Sequence, residues 1–326
     1  MKKLCFFIFF TAMIFNLSAK EHDFSIGVSF GMLNGRAQEI VYMNSETDNK
    51  LSELLWDLKP LPYIGLDIKY SWLKPKNKWG IFANGLIKFG IPGKTGVMED
   101  RDWLISSNPN WLTNYSVHDN KTESAMLMDF NLGVSFLIFQ KFLLKPYFSY
   151  HYMHFSWTAS GGSILYPMKY DYIKGEYIDG HIYLKPINIC TYEQTWHIFS
   201  PGISFYGEFN RFFDIEVLFE VTQLIWCLAK DNHIGKNWLI TDNPKYGVFI
   251  EPSVLFSYKP TNHFVLSLSF TYRDINKSRG DTLYKEKSSS ILYKNVSGAG
   301  YKAFDIGIIA KYIYSSPQRD RSILLR

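Results

Sequence analysis

The chain has 326 residues, with 35 Lys and Arg against 30 Asp and Glu, and aromatic side chains make up 17% of it as 22 Tyr, 26 Phe and 9 Trp. The basic residues are scattered rather than striped, which excludes a nucleic-acid-binding surface, and 3 cysteines exclude a disulfide-framework fold. So aromatic a chain, with no helical span beyond its first residues, points to a transmembrane β-barrel; a large secreted β-sandwich is the soluble alternative.

Lys2 and Lys3 precede the apolar run Leu4–Phe15, and Leu17-Ser18-Ala19 offers a small residue at a cleavage point. Residues 1–19 therefore read as a secretory signal, with the exported product starting near Lys20. Cys5 belongs to the apolar run, which leaves Cys190 and Cys227 in that product. In Tyr63–Trp72 the residues Ile64, Leu66, Ile68, Tyr70 and Trp72 share one face, and Gly65, Asp67, Lys69 and Ser71 the other. Phe264, Leu266, Leu268, Phe270 and Tyr272 repeat that alternation, as do Phe304, Ile306, Ile308, Ala310, Tyr312 and Tyr314. Period-2 runs of this length predict strands.

Short turns are predicted at Lys74–Asn77, Gln140-Lys141, Asn210-Arg211 and Lys259–Asn262, and long polar loops around 43–49, 92–121, 160–190, 231–245 and 275–299. Short turns alternating with long loops are the pattern of an outer-membrane barrel. With both ends on the short-turn side, they give a ten-stranded antiparallel barrel over residues 20–314 with long extracellular loops. Pro317 cannot extend a strand ladder, so residues 315–326 read as a disordered periplasmic extension.

Two motifs carry ionisable side chains at i and i+2: Asp100 with Asp102, and Asp231 with His233. In a strand, residues two apart project from one face, so each pair aims at one spot and together they could hold and deprotonate a water. The odd positions Phe213 to Val221 read as lipid-facing, and Asp231 and His233 share their parity. A one-residue shift, a β-bulge, is therefore required between about 221 and 231. No His-Glu-x-x-His or other metal-ligand cluster is present, and neither metal nor cofactor is expected. Ser116 and His118 lack a nucleophile-elbow context and read as loop structure.

Several stretches then become recognisable together: Gly35–Tyr42 with Lys50–Leu54, Met98–Trp103 with Ser106–Pro109, Trp111…Thr113…Ser116–His118, Phe155–Ser163, Asp231–His233 and Ser297–Gly300. In these the chain resembles the omptin family of outer-membrane proteases, in order and spacing, over nearly all of the exported part. The resemblance implies a catalytic quartet. Asp231 and His233 would polarise a water, Asp100 would hold it from the opposite wall, and Asp102 would support Asp100 through a shared proton or hydrogen bond. It also implies an acidic pocket for a basic substrate residue, with Glu39 as one carboxylate and Met98 as an apolar wall. The second carboxylate of that pocket falls on Ala229, which halves the expected charge unless a neighbour such as Asp242 replaces it. The family's lipopolysaccharide-contacting tyrosine, glutamate and arginine fall on Tyr150, Tyr152 and His154. Loss of the arginine weakens the case for dependence on lipopolysaccharide.

The resemblance thus implies a monomeric outer-membrane endopeptidase acting on polypeptides outside the cell. Two rivals stand beside it. One is an omptin-like barrel serving as adhesin or invasin with little turnover, against which all four catalytic side chains argue. The other is a porin lined by Asp67, Lys69, Asp129, Glu216, Glu220 and Glu251, although a ten-strand barrel holds little more than its own polar side chains.

Overall fold

The computed structural model describes residues 22–74, 78–139, 141–165, 170–171, 176–177, 181–276 and 278–315. The expected signal at 1–19 lies outside these residues, as does the expected C-terminal extension apart from Ser315, which ends the last strand.

The chain forms ten antiparallel staves. Six are unbroken: β1 (His22–Tyr42), β2 (Lys50–Lys74), β4 (Asn114–Phe139), β5 (Phe142–Leu165), β6 (Asn188–Glu208) and β10 (Ser289–Ser315). Four run in two segments: β3 (Trp79–Gly90, Gly93–Asp102), β7 (Phe213–Thr222, Ile225–His233), β8 (Trp238–Lys245, Val248–Tyr258) and β9 (Phe264–Asn276, Arg279–Glu286). With the short strand His181–Tyr183 these segments make a 15-stranded sheet. Each stave pairs with the next, and β1 closes the barrel on β10 from Asp23↔Ser315 to Val41↔Ser297. Closure leaves no free edge along the staves.

Staves of 21 to 27 residues far exceed the ~9–11 residues that cross a bilayer. The exposed apolar side chains gather in the half nearer the chain ends, including Val28, Phe30, Leu66, Phe130, Leu132, Phe148, Phe205, Phe219, Leu268 and Ile308. Aromatic residues such as Trp79, Phe139, Phe213, Tyr258 and Tyr312 rim this band. It is the belt that faces lipid. The other half of the barrel projects beyond it, and there lies the main departure from the sequence reading. Most of the predicted loop residues at 92–121, 231–245 and 275–299 are strand. Above the lipid no apolar outer face is demanded, so the ladder continues while the hydrophobic alternation fades.

Inside the belt the lumen is filled by ion pairs. Arg273 binds Asp129 (2.8 Å) and Glu251, His151 sits between Asp129 and Glu220 (2.8 Å each), and Lys88 pairs with Asp305. The space left among them is about 110 Å³, which speaks against a porin. Above them an aromatic layer crosses the lumen. Trp56 stacks on Tyr192 (5.3 Å between centroids) and Trp157 (5.9 Å), and Phe155 on Trp157 (5.4 Å) and Tyr301 (5.3 Å). The expectation of a purely polar lumen misses this layer.

Cys190 and Cys227 are free and buried. Cys227 faces Trp196 rather than the Gln194 that a turn at Asn210-Arg211 would give, because the bulge in β7 and a longer turn shift the register.

Candidate active site

Two interruptions of the ladder aim the ionisable side chains inward. In β7, Asp214, Glu216, Glu220 and Thr222 are buried, and beyond Gln223-Leu224 the buried set becomes Ile225, Cys227, Ala229 and Asp231. Pairing with β6 moves by one residue there, from Gly202↔Glu220 to Ile198↔Ile225. This is the parity shift the sequence requires, held by Leu224 N–H donating to Thr222 Oγ1 (3.0 Å) and Phe199 N–H to Leu224 O (3.0 Å). In β3 the register against β4 slips between Lys94 and Val97, where Gly96 takes φ +101°. Thr95 faces the lumen before the slip, and Met98 faces it after. Asp100 and Asp102 follow Met98 at alternate positions on the same face.

Strand pairing lays these residues on two walls. On one, Glu39, Leu54, Asp100 and Ser116 form a lateral row across β1 to β4, with Asp102 opposite Ser52 and Asn114. The row below holds Ala37, Trp56, Met98 and His118, so Met98 is buried against the aromatic layer. On the other wall Asp231 lies between Tyr192 and Ile240, and His233 between Cys190 and Trp238. The walls approach closely, for Gln194 on β6 donates from Nε2 to Gln38 O on β1 (3.1 Å).

His233 Nε2 stands 2.7 Å from Asp231 Oδ2. Burial pulls the His233 pKa down, but the Asp231 carboxylate more than offsets this, and the net shift is upward. Burial first, and then the like charge of Asp102, push Asp100 up to about 7. Burial also raises Asp102, against hydrogen bonds from Ser52 and Asn114 (3.4 Å to Asn114). Those hydrogen bonds come from the strand neighbours of Asp102. Glu39 is raised well above its ordinary value by burial and by Asp231, Asp242 and Asp100. Asp100 Oδ1, Asp231 Oδ1 and Glu39 Oε2 are all buried without a protein partner.

On the far side of β3 an ion network fixes the strand. Arg36 bridges Asp57 (2.6 Å) and Glu99 (2.8 Å), and Arg101 binds Glu99 (2.5 Å). Glu99 and Arg101 alternate with Asp100 and Asp102, so this network holds the strand while the carboxylates point the other way.

Ser116 and His118 lie in β4, not in a loop as the sequence reading has them. His118 Nδ1 is 2.6 Å from Gly161 O, and Ser116 Oγ is 2.7 Å from Nε2. Sequence reasoning missed the bridging role of Gln194, the proximity of Lys236 to Asp100 and His233, and the direct pairing of Asp242 with Ala229. Each depends on which strands pair, and no motif announces that.

Comparison with known proteins follows the same lines. The family model described as "Omptin family" matches residues 20–314. The "Plasminogen activator" of Yersinia pestis is 25% identical over 82% of this chain and 81% of its own length. "Protease 7" of Escherichia coli O157:H7 is 27% identical over 89% of each chain. The crystal structure of the outer-membrane protease OmpT from Escherichia coli superposes with a TM-score of 0.79 at 21% identity, covering 90% of this chain and 97% of that one. Its fold is the barrel described above. Matched by the family model over most of its length, the chain belongs to the omptin family.

Proposed function

We propose that this chain is an outer-membrane endopeptidase that cuts polypeptides outside the cell by direct attack of water. The observation that carries this is the pair of facing walls, Asp100 with Asp102 on one and Asp231 with His233 on the other. Each wall presents a buried carboxylate oxygen that no protein group satisfies, and buried polar atoms rarely stay unpartnered. A water held by Asp100 Oδ1 through one hydrogen would turn its other hydrogen to His233 Nδ1. With Nε2 turned to Asp231, His233 Nδ1 takes a proton as the water oxygen bonds to the scissile carbonyl carbon. Asp231 stabilises the imidazolium, which then gives its proton to the departing amine. Asp100 orients the water, and Asp102 and burial set its pKa. No step calls for a metal.

The closed barrel and filled lumen favour a monomer that acts at its rim. Named relatives are a plasminogen activator and outer-membrane proteases, which supports turnover over adhesion alone. The contact between Ser116 Oγ and His118 Nε2 favours one second reading, a serine nucleophile. Refolded protein incubated with a peptide library and added hydroxylamine separates the readings. Internal cleavage without hydroxamate formation is expected. Hydroxamate capture would reveal an acyl-enzyme and establish Ser116; no cleavage at all would leave the adhesin.

A further inference from the structure

Asp231 on β7, Ile240 on β8, Tyr284 on β9 and Ile291 on β10 stand opposite one another in turn, so they form one lateral row on a shared face of the sheet. Trp238, two residues from Ile240, belongs to that face, and its ring meets His233 (6.0 Å between centroids) and Tyr284 (5.7 Å) edge on. Ile291 is 48% exposed, and Trp238, Ile240 and Tyr284 are half-buried. An open apolar and aromatic surface therefore begins at the Asp231–His233 pair and continues along the rim. Its back is fixed. On the other face of β9, Arg279 lies over the Tyr42 ring (3.8 Å) and binds Asp48 (3.0 Å) between β1 and β2, while Asp281 holds Lys294 (2.6 Å). The surface is thus preformed, which lowers the cost of ordering it around a ligand.

We propose that Ile240, Tyr284 and Ile291 form a specificity-determining shelf that binds an aromatic or large apolar side chain of the polypeptide about three residues from the cut. This rests on the proteolytic reading above. Continuity and length identify the occupant as an extended segment of the substrate itself. Three inter-strand steps of about 4.8 Å carry the row roughly 14 Å from Asp231, the span of about four residues of an extended chain. A peptide bond held at Asp231 and His233 brings its own neighbours along the row, and covering exposed apolar surface there supplies affinity. Tyr284, two steps along, lies about where the third residue arrives.

The test uses the refolded full chain in micelles and two uncleavable peptides with a reduced central bond. One carries phenylalanine at the third residue to each side of that bond, and the other carries serine there. Wild type is expected to bind the phenylalanine peptide about tenfold more tightly, the scale for covering roughly half of an apolar side chain. The double variant Tyr284→Ser, Ile291→Ser should bring the ratio close to one. Leu239→Ser removes an exposed apolar side chain from the opposite face of β8 and should keep the wild-type ratio. The idea is overturned if the folded double variant keeps that ratio, if Leu239→Ser loses it, or if wild type shows no preference. Dimers that form through this face and vanish in the double variant, without a peptide preference, would also overturn it and assign the shelf to a second copy of the chain. Because binding is read without turnover, a wild type that cleaves nothing would sink the proteolytic reading while the ratio still judges the shelf.

Discussion

Gly96 offers a direct way to ask whether the ladder slip in β3 aims the carboxylates of Asp100 and Asp102. At φ +101° an added Cβ would sit 2.7 Å from Asp57 Oδ2 and 2.8 Å from Asp57 Cβ. A left-handed φ costs a non-glycine residue roughly 1–2 kcal/mol, and the contact with Asp57 adds to that. Asp57 cannot yield freely. It holds Arg36 at 2.6 Å and Val97 N–H at 3.3 Å, and its carbonyl accepts from Asn120 at 2.7 Å. Displacing it disturbs the Arg36–Glu99 pair, one residue from Asp100. Gly96→Ala should therefore lower stability by about 2–3 kcal/mol, combining strain and clash. A shift of about 1 Å at Asp100 should cut the cleavage rate by about 100-fold. Urea unfolding followed by tryptophan fluorescence reads the first effect, and hydrolysis of a quenched fluorescent peptide reads the second. Wild-type stability and wild-type turnover together would refute the assignment of the slip.

Other consequences follow from the charges. Attack needs Asp100 ionised and His233 neutral. With Asp100 raised to about 7 and His233 also raised, kcat/KM should fall as pH drops through about 7, and a limb near the ordinary carboxylate value of about 4 would contradict this. Arg273→Met removes the cation shared by Asp129 and Glu251 and should cost about 3–5 kcal/mol of stability in urea unfolding, whereas a change under 1 kcal/mol would show that the pair is not buried as described. Tyr150 and His154 bond to His197 (2.8 Å) and Thr195 (2.9 Å), with no arginine at position 154 to grip a phosphate. Adding lipopolysaccharide to refolded protein should change turnover by less than about threefold, against the much larger gain expected from charge-assisted phosphate contacts.

The sequence showed the lipid-crossing half clearly and the site half only in part. Runs such as Phe264 to Tyr272 must alternate because lipid lies on one side and the filled lumen on the other. Above the belt that constraint lapses, and Lys94–Asp102 or Trp238–Lys245 looks like loop although its backbone pairs as strand. Parity exposed the β7 bulge because Asp231 had to leave the lipid side. The Gly96 slip gave no such signal, since Lys94-Thr95 before it and Val97-Met98 after it carry no apolar alternation for a slip to break. Asp100, Asp102, Asp231 and His233 were legible as motifs. The pairing of Asp242 with Ala229 was not, because nothing in the spacing from 229 to 242 specifies that the two residues oppose each other.

The central claim is that Asp231 and His233 activate water as a unit with Asp100 and Asp102. It is tested most directly by the peptide-cleavage rate of refolded Asp231→Ala, His233→Ala and the double variant, each confirmed as a folded barrel. Each single change should reduce the rate by at least about 100-fold, the scale for losing a positioned acid–base group. The double variant should fall little further, because residues that act together are not additive. A folded His233→Ala protein that cleaved within tenfold of wild type would contradict the account.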